Sequence, residues 1–361
     1  MRILDIYIIK ELIRPFLFGI FAFSTVFIGG GTMWRIAQYM SKYGASETVA
    51  AKLFIYSLPG VIVITIPMSM LLAALLCFGR LSGSSEIIAM RASGQSFLRL
   101  VLPVIIFAFL AAGCAVMINE TIVPAATASY NSLIRTEIEG NTHPQSQDHL
   151  ILIDHLENNG VRMTYARKFD QTTASMFDVT VQEIQNDRQV LVENARKAVW
   201  KSGGWLLYSG VLYDLSGDSQ RIMEFESHYL PINRSPQKIG MEQKRPEEMT
   251  IKELKQQIKM LSQFEIVKNI YEVELHQRLA LPMSTFIFCL IGSPLGLSRN
   301  RSSSSTGLGL SILIVFIYYV IMTWALTLGQ SGKILAILAA WLPNIIGFIF
   351  GAYFLYRTDN K

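Results

Sequence analysis

The chain has 361 residues, of which 51% are hydrophobic and only 16% charged, against roughly 25% charge in a soluble domain. A mean hydropathy of +0.35 excludes an ordinary water-soluble fold. The formal charge of +5 reflects basic loops beside apolar runs, and nucleic-acid binding does not follow from it.

The opening, "MRILDIYIIKELIR", is a charged amphipathic helix that leads into an apolar run longer than a signal-peptide core, so a retained first membrane helix is expected. Six stretches carry no charge: Pro15 to Trp34, Leu53 to Gly79, Leu100 to Asn119, Leu279 to Ser298, Ser302 to Gly332 and Ile334 to Tyr356. Each reaches the roughly 20 residues that cross a hydrocarbon core. The expectation is three spans, a polar block and three more spans. Pro59, Gly60 and Pro67 in the second span and Pro294 in the fourth mark candidate kinks.

At the outer end of the first span, "TMWRIAQYMSKYG" sets Arg35 and Lys42 two turns apart beside Trp34 and Tyr39. Two readings fit this pattern. One is an interfacial aromatic belt with snorkelling cations; the other is a cationic collar for an anionic headgroup.

Between the second and third spans lies "RLSGSSEIIAMRASGQSF", residues 80 to 97. Ser84 or Ser85 is placed to cap a short helix over about 84–93, with Glu86 in its first turn and Gly94 as its left-handed stop. Its small side chains, Ala89, Ala92 and Ser93, suit entry into a partner's groove. A loop helix that touches only lipid fits the bare pattern equally well.

Lysine and arginine in short loops give the orientation. Arg2, Lys10, Arg14, Arg80, Arg91, Arg99, Arg299, Arg301, Arg357 and Lys361 fall on one side, and Arg35, Lys42, Lys52 and Lys333 on the other. Both termini and the 80–97 loop are therefore expected in the cytoplasm, and the polar block in the opposite compartment.

That block, about 125–248, contains "HLILIDHL", "VRMTYARKF", "MFDVTVQEI", "QVLVENARKAVW", "GWLLYSGVLYDL" and "RIMEFESHYL", separated by turn-forming segments. Such punctuation predicts antiparallel strands of a sandwich or jelly roll. Strict alternation places Phe177, Val179, Val181 and Glu183 on one face and Asp178, Thr180 and Gln182 on the other. Beyond it, Thr250 and Glu253 form a capping-box pair ahead of Ile251, Leu254, Ile258 and Leu261. A second helix is expected from near Glu265 straight into the fourth span.

No catalytic site emerges. "GQSGK" at 329–333 lacks phosphate-loop spacing. His143, Asp148, His149, Asp154 and His155 cluster in sequence, but His149 and His155 lie about 20 Å apart along a strand, so no metal site is expected. Cys77, Cys114 and Cys289 sit in apolar runs and read as small buried hydrophobes, not as a disulfide framework. The spans hold no Asp, Glu, Lys, Arg or His, which argues against a transporter driven by a proton gradient.

"LSGSSEIIAMRASGQS" closely resembles the coupling-helix motif of the lipopolysaccharide-export permeases, the LptF/LptG family. "ELHQRLALP" and "GSPLGLS" in the fourth span and the three–block–three plan extend the likeness over the whole chain. The resemblance implies a fold of six transmembrane helices with an inserted periplasmic all-β, jellyroll-like domain. The parts would be a membrane half at 1–124, a jellyroll domain at 125–248, and connecting helices with the second membrane half at 249–361. It also implies a bacterial inner-membrane permease that pairs with a second LptF/LptG-type subunit, as hetero- or homodimer, and docks a cytoplasmic ATPase dimer. Lipopolysaccharide would be lifted from the outer leaflet and passed to a periplasmic jellyroll bridge protein. ATP and magnesium would be used by the ATPase, with no cofactor, metal or catalytic residue on this chain. The coupling residues implied are Ser85, Glu86, Ala89, Met90, Arg91, Ser93 and Gly94; the headgroup contacts are Arg35 and Lys42. Two rival functions remain: a permease for another lipid or lipoprotein, and a membrane-anchored sensor or scaffold with the β domain as its ligand binder.

Overall fold

The computed structural model describes residues 3–138, 146–155, 160–170, 173–185, 188–201, 203–216, 221–231, 245–261, 265–297 and 304–360. The chain divides into two compact units, one of residues 1–138 and 245–361 and one of residues 139–244. The β unit is thus narrower than the 125–248 block expected. Pro124 stands at the head of a helix over Val123–Leu133, and Pro246–Glu248 returns to the helical unit.

In the helical unit α1 (Ile3–Phe27) passes through one wide π turn, Ile28–Thr32, into α2 (Met33–Tyr43). Then follow α3 (Glu47–Gly83), α4 (Glu86–Ala92), α5 (Phe97–Thr121) and α6 (Val123–Leu133). After the β unit come α7 (Ile251–Met260), α8 (Glu265–Gly296), α9 (Ser304–Gln330) and α10 (Ala336–Asp359). Among the described residues six stretches are long and apolar enough to cross a membrane: Ile3–Tyr43, Glu47–Gly83, Phe97–Thr121, Lys268–Gly296, Gly307–Gln330 and Ala336–Asp359. The helices run on through Pro59, Pro67 and Pro294 without ending.

Local chemistry explains the helix starts. Ser46 and Ser96 accept from the backbone N–H three residues on, opening α3 and α5. Thr250 and Glu253 close the expected capping box at the head of α7. Helix association in lipid depends on close contact, not on water release, so small residues carry it. Gly292 and Gly296, one turn apart on α8, leave no room for a Cβ against Leu71, Ala74, Leu75 and Phe78 of α3. Gly347 and Gly351 do the same for α10 against Ile287, Leu290 and Ile291 of α8. The centre of the unit is therefore α3 and α8. Cys77 and Cys289 are buried there as expected, whereas Cys114 is exposed on α5.

The β unit holds β1 (Ser146–His155), β2 (Val161–Asp170), β3 (Ser175–Gln185), β4 (Arg188–Lys201), β5 (Gly204–Asp214) and β6 (Arg221–Leu230). They form one antiparallel sheet in sequential order. Among the described strands it is a meander, with no jelly-roll crossover.

A crease crosses all six strands. Pairing is skipped at His149–Arg167, Arg167–Asp178, Asp178–Arg196, Arg196–Ser209 and Ser209–Glu226, always at the same level. Asp178 and Ser209 have positive φ, 49° and 51°. Two consecutive residues then face outward, as with Arg167 and Lys168, Arg196 and Lys197, or Tyr208 and Ser209. This overturns the strict alternation expected in β3. Met176 joins Val179 and Val181 in the core, while Phe177 lies outside under Lys197. Apolar residues from both sides of the crease meet in one cluster, with Phe169 and Trp200 edge-on to Trp205.

Of the histidine–aspartate cluster, His143 lies outside the described residues, and among the described residues no group of His, Cys, Asp or Glu could hold a metal ion.

Candidate functional site

Helix α4 is shorter than expected, seven residues instead of about ten, because α3 runs on to Gly83. Neither serine caps it by its side chain. Ser85 adopts the left-handed conformation, φ 60°, and turns the chain, while the Ser84 hydroxyl donates to Glu86 Oε1 at 2.7 Å. Gly94, φ 89°, supplies the stop that was expected.

Only Ile87 of α4 is buried, in a cluster with Ile8, Leu12, Leu81 and Phe97. Ser85, Ile88, Ala89, Ala92, Ser93 and Gly94 are exposed, and Glu86, Met90 and Arg91 partly so. The outward face is thus built of small residues around one large one. Ile88, 59% exposed, was missed by the sequence reading, which weighed only the small side chains.

Glu86 is already engaged. Tyr7 of α1 donates to its Oε2 at 2.7 Å, and this bond, with that from Ser84, holds the carboxyl below its usual range. Arg91 donates to the carbonyls of Thr358 and Asp359 at the end of α10, at 3.5 and 3.2 Å. Asp359 Oδ1 accepts from Leu98 N–H at 3.2 Å. Two ion pairs also tie α1 to this region, Asp5 with Arg99 at 2.9 Å and Glu11 with Arg80. Both ends of the helical unit's chain and α4 therefore lie together.

Arg35 and Lys42 are both exposed on α2, whose other face packs Ile36 and Tyr39 against Val49 and Leu53 of α3 and against Tyr130 and Ile134. Seven residues apart, they share one face of the helix. Tyr130 was not foreseen: its hydroxyl is buried without a partner among the described residues. Burial raises its pKa, and the charge of Arg35 pulls it back.

A third polar group sits where the chain leaves and re-enters the helical unit. Arg278 of α8, 5% exposed, donates through Nη2 to the carbonyls of Pro246 and Glu247 at 3.2 and 3.0 Å. Its remaining nitrogens face Glu274 at 3.4 Å and Glu120 at 3.9 Å. Glu120 accepts from Ile251 N–H at 2.9 Å, and Asn131 donates to Glu248 at 2.5 Å. A count of charge-free stretches places these residues just outside the spans and hides their burial.

The chain thus consists of a helical unit of six spans, a β insertion after the third, and a small helix between the second and third held among the chain ends. Residues 6–357 match the family described as lipopolysaccharide export system permease LptF/LptG. The chain belongs to that family. No curated protein matches it. As an LptF/LptG permease it is a transporter subunit. In this LptF/LptG chain α4 and the α2 cations lie on different helical segments. The structure does not bring the two predicted residue groups together.

Proposed function

We propose that this LptF/LptG permease is the non-catalytic membrane subunit of an ATP-driven machine in the bacterial inner membrane. It draws lipopolysaccharide from the outer leaflet, works beside a second permease of the same family, and hands the lipid through its β insertion to a periplasmic jellyroll bridge. A cytoplasmic ATPase dimer binds the nucleotide and magnesium and docks on α4.

The observation that carries this reading is α4 itself. A seven-residue helix with an exposed face of Ser85, Ala89, Ala92 and Ser93 permits close backbone approach by a partner, and Ile88 offers one apolar anchor. Met90, Arg91 and Gly94 set its orientation and end. Outside work is needed, because each buried CH₂ of an acyl chain resists extraction by about 0.8 kcal/mol. Arg35 and Lys42 suit lipid phosphates through charge-assisted contacts.

The test is purification of the full chain from its membranes in gentle detergent, with identification of co-purifying proteins and lipid. An ATPase and lipopolysaccharide are expected. Glu86→Lys should release or uncouple the ATPase; full ATPase yield with full lipid release in that variant refutes the docking role of α4. Reversal of Arg35 and Lys42 to Glu should lower photocrosslinking to lipopolysaccharide from neighbouring positions. Unchanged crosslinking returns these two residues to the aromatic-belt reading.

A further inference from the structure

We infer that Asp5, Tyr7 and Glu11 are positioning residues that make the first span the receiver of α4's motion. The inference rests on the reading that α4 takes the stroke of an ATPase. Each residue ties α1 to a different element around the coupling loop. Glu11 pairs with Arg80 near the end of α3, Tyr7 donates to Glu86 of α4, and Asp5 pairs with Arg99 at the start of α5.

Helical geometry accounts for the arrangement. At 100° per residue, Ile8 and Leu12 form a seam, with Tyr7 and Glu11 on one flank and Asp5 on the other. Ile8 and Leu12 are buried in the same apolar cluster as Ile87 of α4. A buried seam with polar ties on both flanks resists rotation as well as sliding. A single exposed tie would not.

What the seam receives has somewhere to go. From Ile3 to Tyr43 the backbone is helical throughout, 41 residues, or about 60 Å of continuous rod. Its far segment, α2, carries Arg35 and Lys42. Displacement of α4 thus reaches the exposed cations through one covalent helix.

The experiment uses the full chain in its complex with the ATPase, reconstituted in proteoliposomes, and reads lipopolysaccharide released per ATP hydrolysed. A merely structural loss lowers the yield of complex, not this ratio. Tyr7→Phe removes one hydroxyl, and the ratio is expected to fall on the order of fivefold, the equivalent of one hydrogen bond. Glu86→Gln combined with Tyr7→Phe should be no worse than the worse single variant, because the two residues act through one contact. An unchanged ratio in Tyr7→Phe, or losses that multiply in the double variant, overturns the inference.

If the wild-type chain holds no ATPase, the functional reading has failed, and the clamp is judged on the chain alone. Ile87→Cys in a Cys114→Ser background then reports opening of α4 through maleimide labelling. Tyr7→Phe should speed that labelling severalfold; an unchanged rate overturns the clamp.

Discussion

The polar groups at the two ends of the helical unit are built on opposite terms. Around α4 the cations of the ties reach water, Arg80 with 57% of its side chain exposed and Arg99 with 26%, while Glu11 and Asp5 are 15% and 11% exposed. A pair as open on one side as Glu11–Arg80 contributes about 0–1 kcal/mol and weakens with salt. Around Arg278 the guanidinium is 5% exposed and faces two carboxylates and two carbonyls. A buried ion of this kind gains little net stability from its partners, yet leaving one partner alone is expensive. The first arrangement is the easier of the two to remake. The second fixes the point where the connector rejoins the spans, through Glu120 at the head of α7 and Asn131 on Glu248.

The contrast is sharpest at Arg278. Arg278→Ala should destabilise the chain by about 3–5 kcal/mol, seen as a loss of folded yield and a lower melting temperature in detergent. Arg278→Lys should recover only part of this, since an ammonium lacks the planar fork.

Glu120→Gln comes next. It keeps an acceptor for the Ile251 N–H but removes the charge opposite Arg278, and a cost of about 1–3 kcal/mol is expected. An effect as small as that of a surface pair would show that the Arg278 group is no tighter than the ties around α4.

At the other end Glu11→Gln should cost less than about 1 kcal/mol and leave thermal unfolding nearly unchanged. A large shift would erase the distinction between the two ends.

The smallest effect concerns pH. Bonds from Tyr7 and Ser84 lower the Glu86 pKa, so the tie contributes fully above the ordinary carboxylate value, about 4.3, and is lost as pH falls through the lowered one. Labelling of Ile87→Cys, divided at each pH by that of a free thiol to remove the changing thiolate fraction, should therefore be flat from pH 8 to 5 and rise only in stronger acid. A rise already at pH 6 would contradict the lowered pKa.

Much of this was legible in the sequence. Charge-free runs locate six spans because lipid forbids unpaired charge, and Thr250 with Glu253 announces α7 because a capping box is local. The placement of Glu86 in the first turn of α4 is local too. Its partner is not: Tyr7 lies 79 residues away, and no short-range pattern points to it. Arg278 escaped for a related reason. Its burial depends on the connector folding over it, while hydropathy treats any arginine as a boundary. The serine caps failed because α3 absorbed the turn meant for α4. The alternation of β3 failed at Asp178, where a positive φ shifts the count.

That shift has a consequence for the β insertion as a whole. A strand in which every second residue faces inward tolerates no change of length without exchanging its two faces. Here the inward sequence steps by two, then once by three, then by two again, as in Ala166 to Phe169, Val179 to Met176, Ala195 to Ala198 and Gly210 to Leu207. The six strands are thereby bound to a common arithmetic. Removing one residue at that line from a single strand would turn half of that strand inside out, while its neighbours kept their frame. The step can be lost only from all six at once.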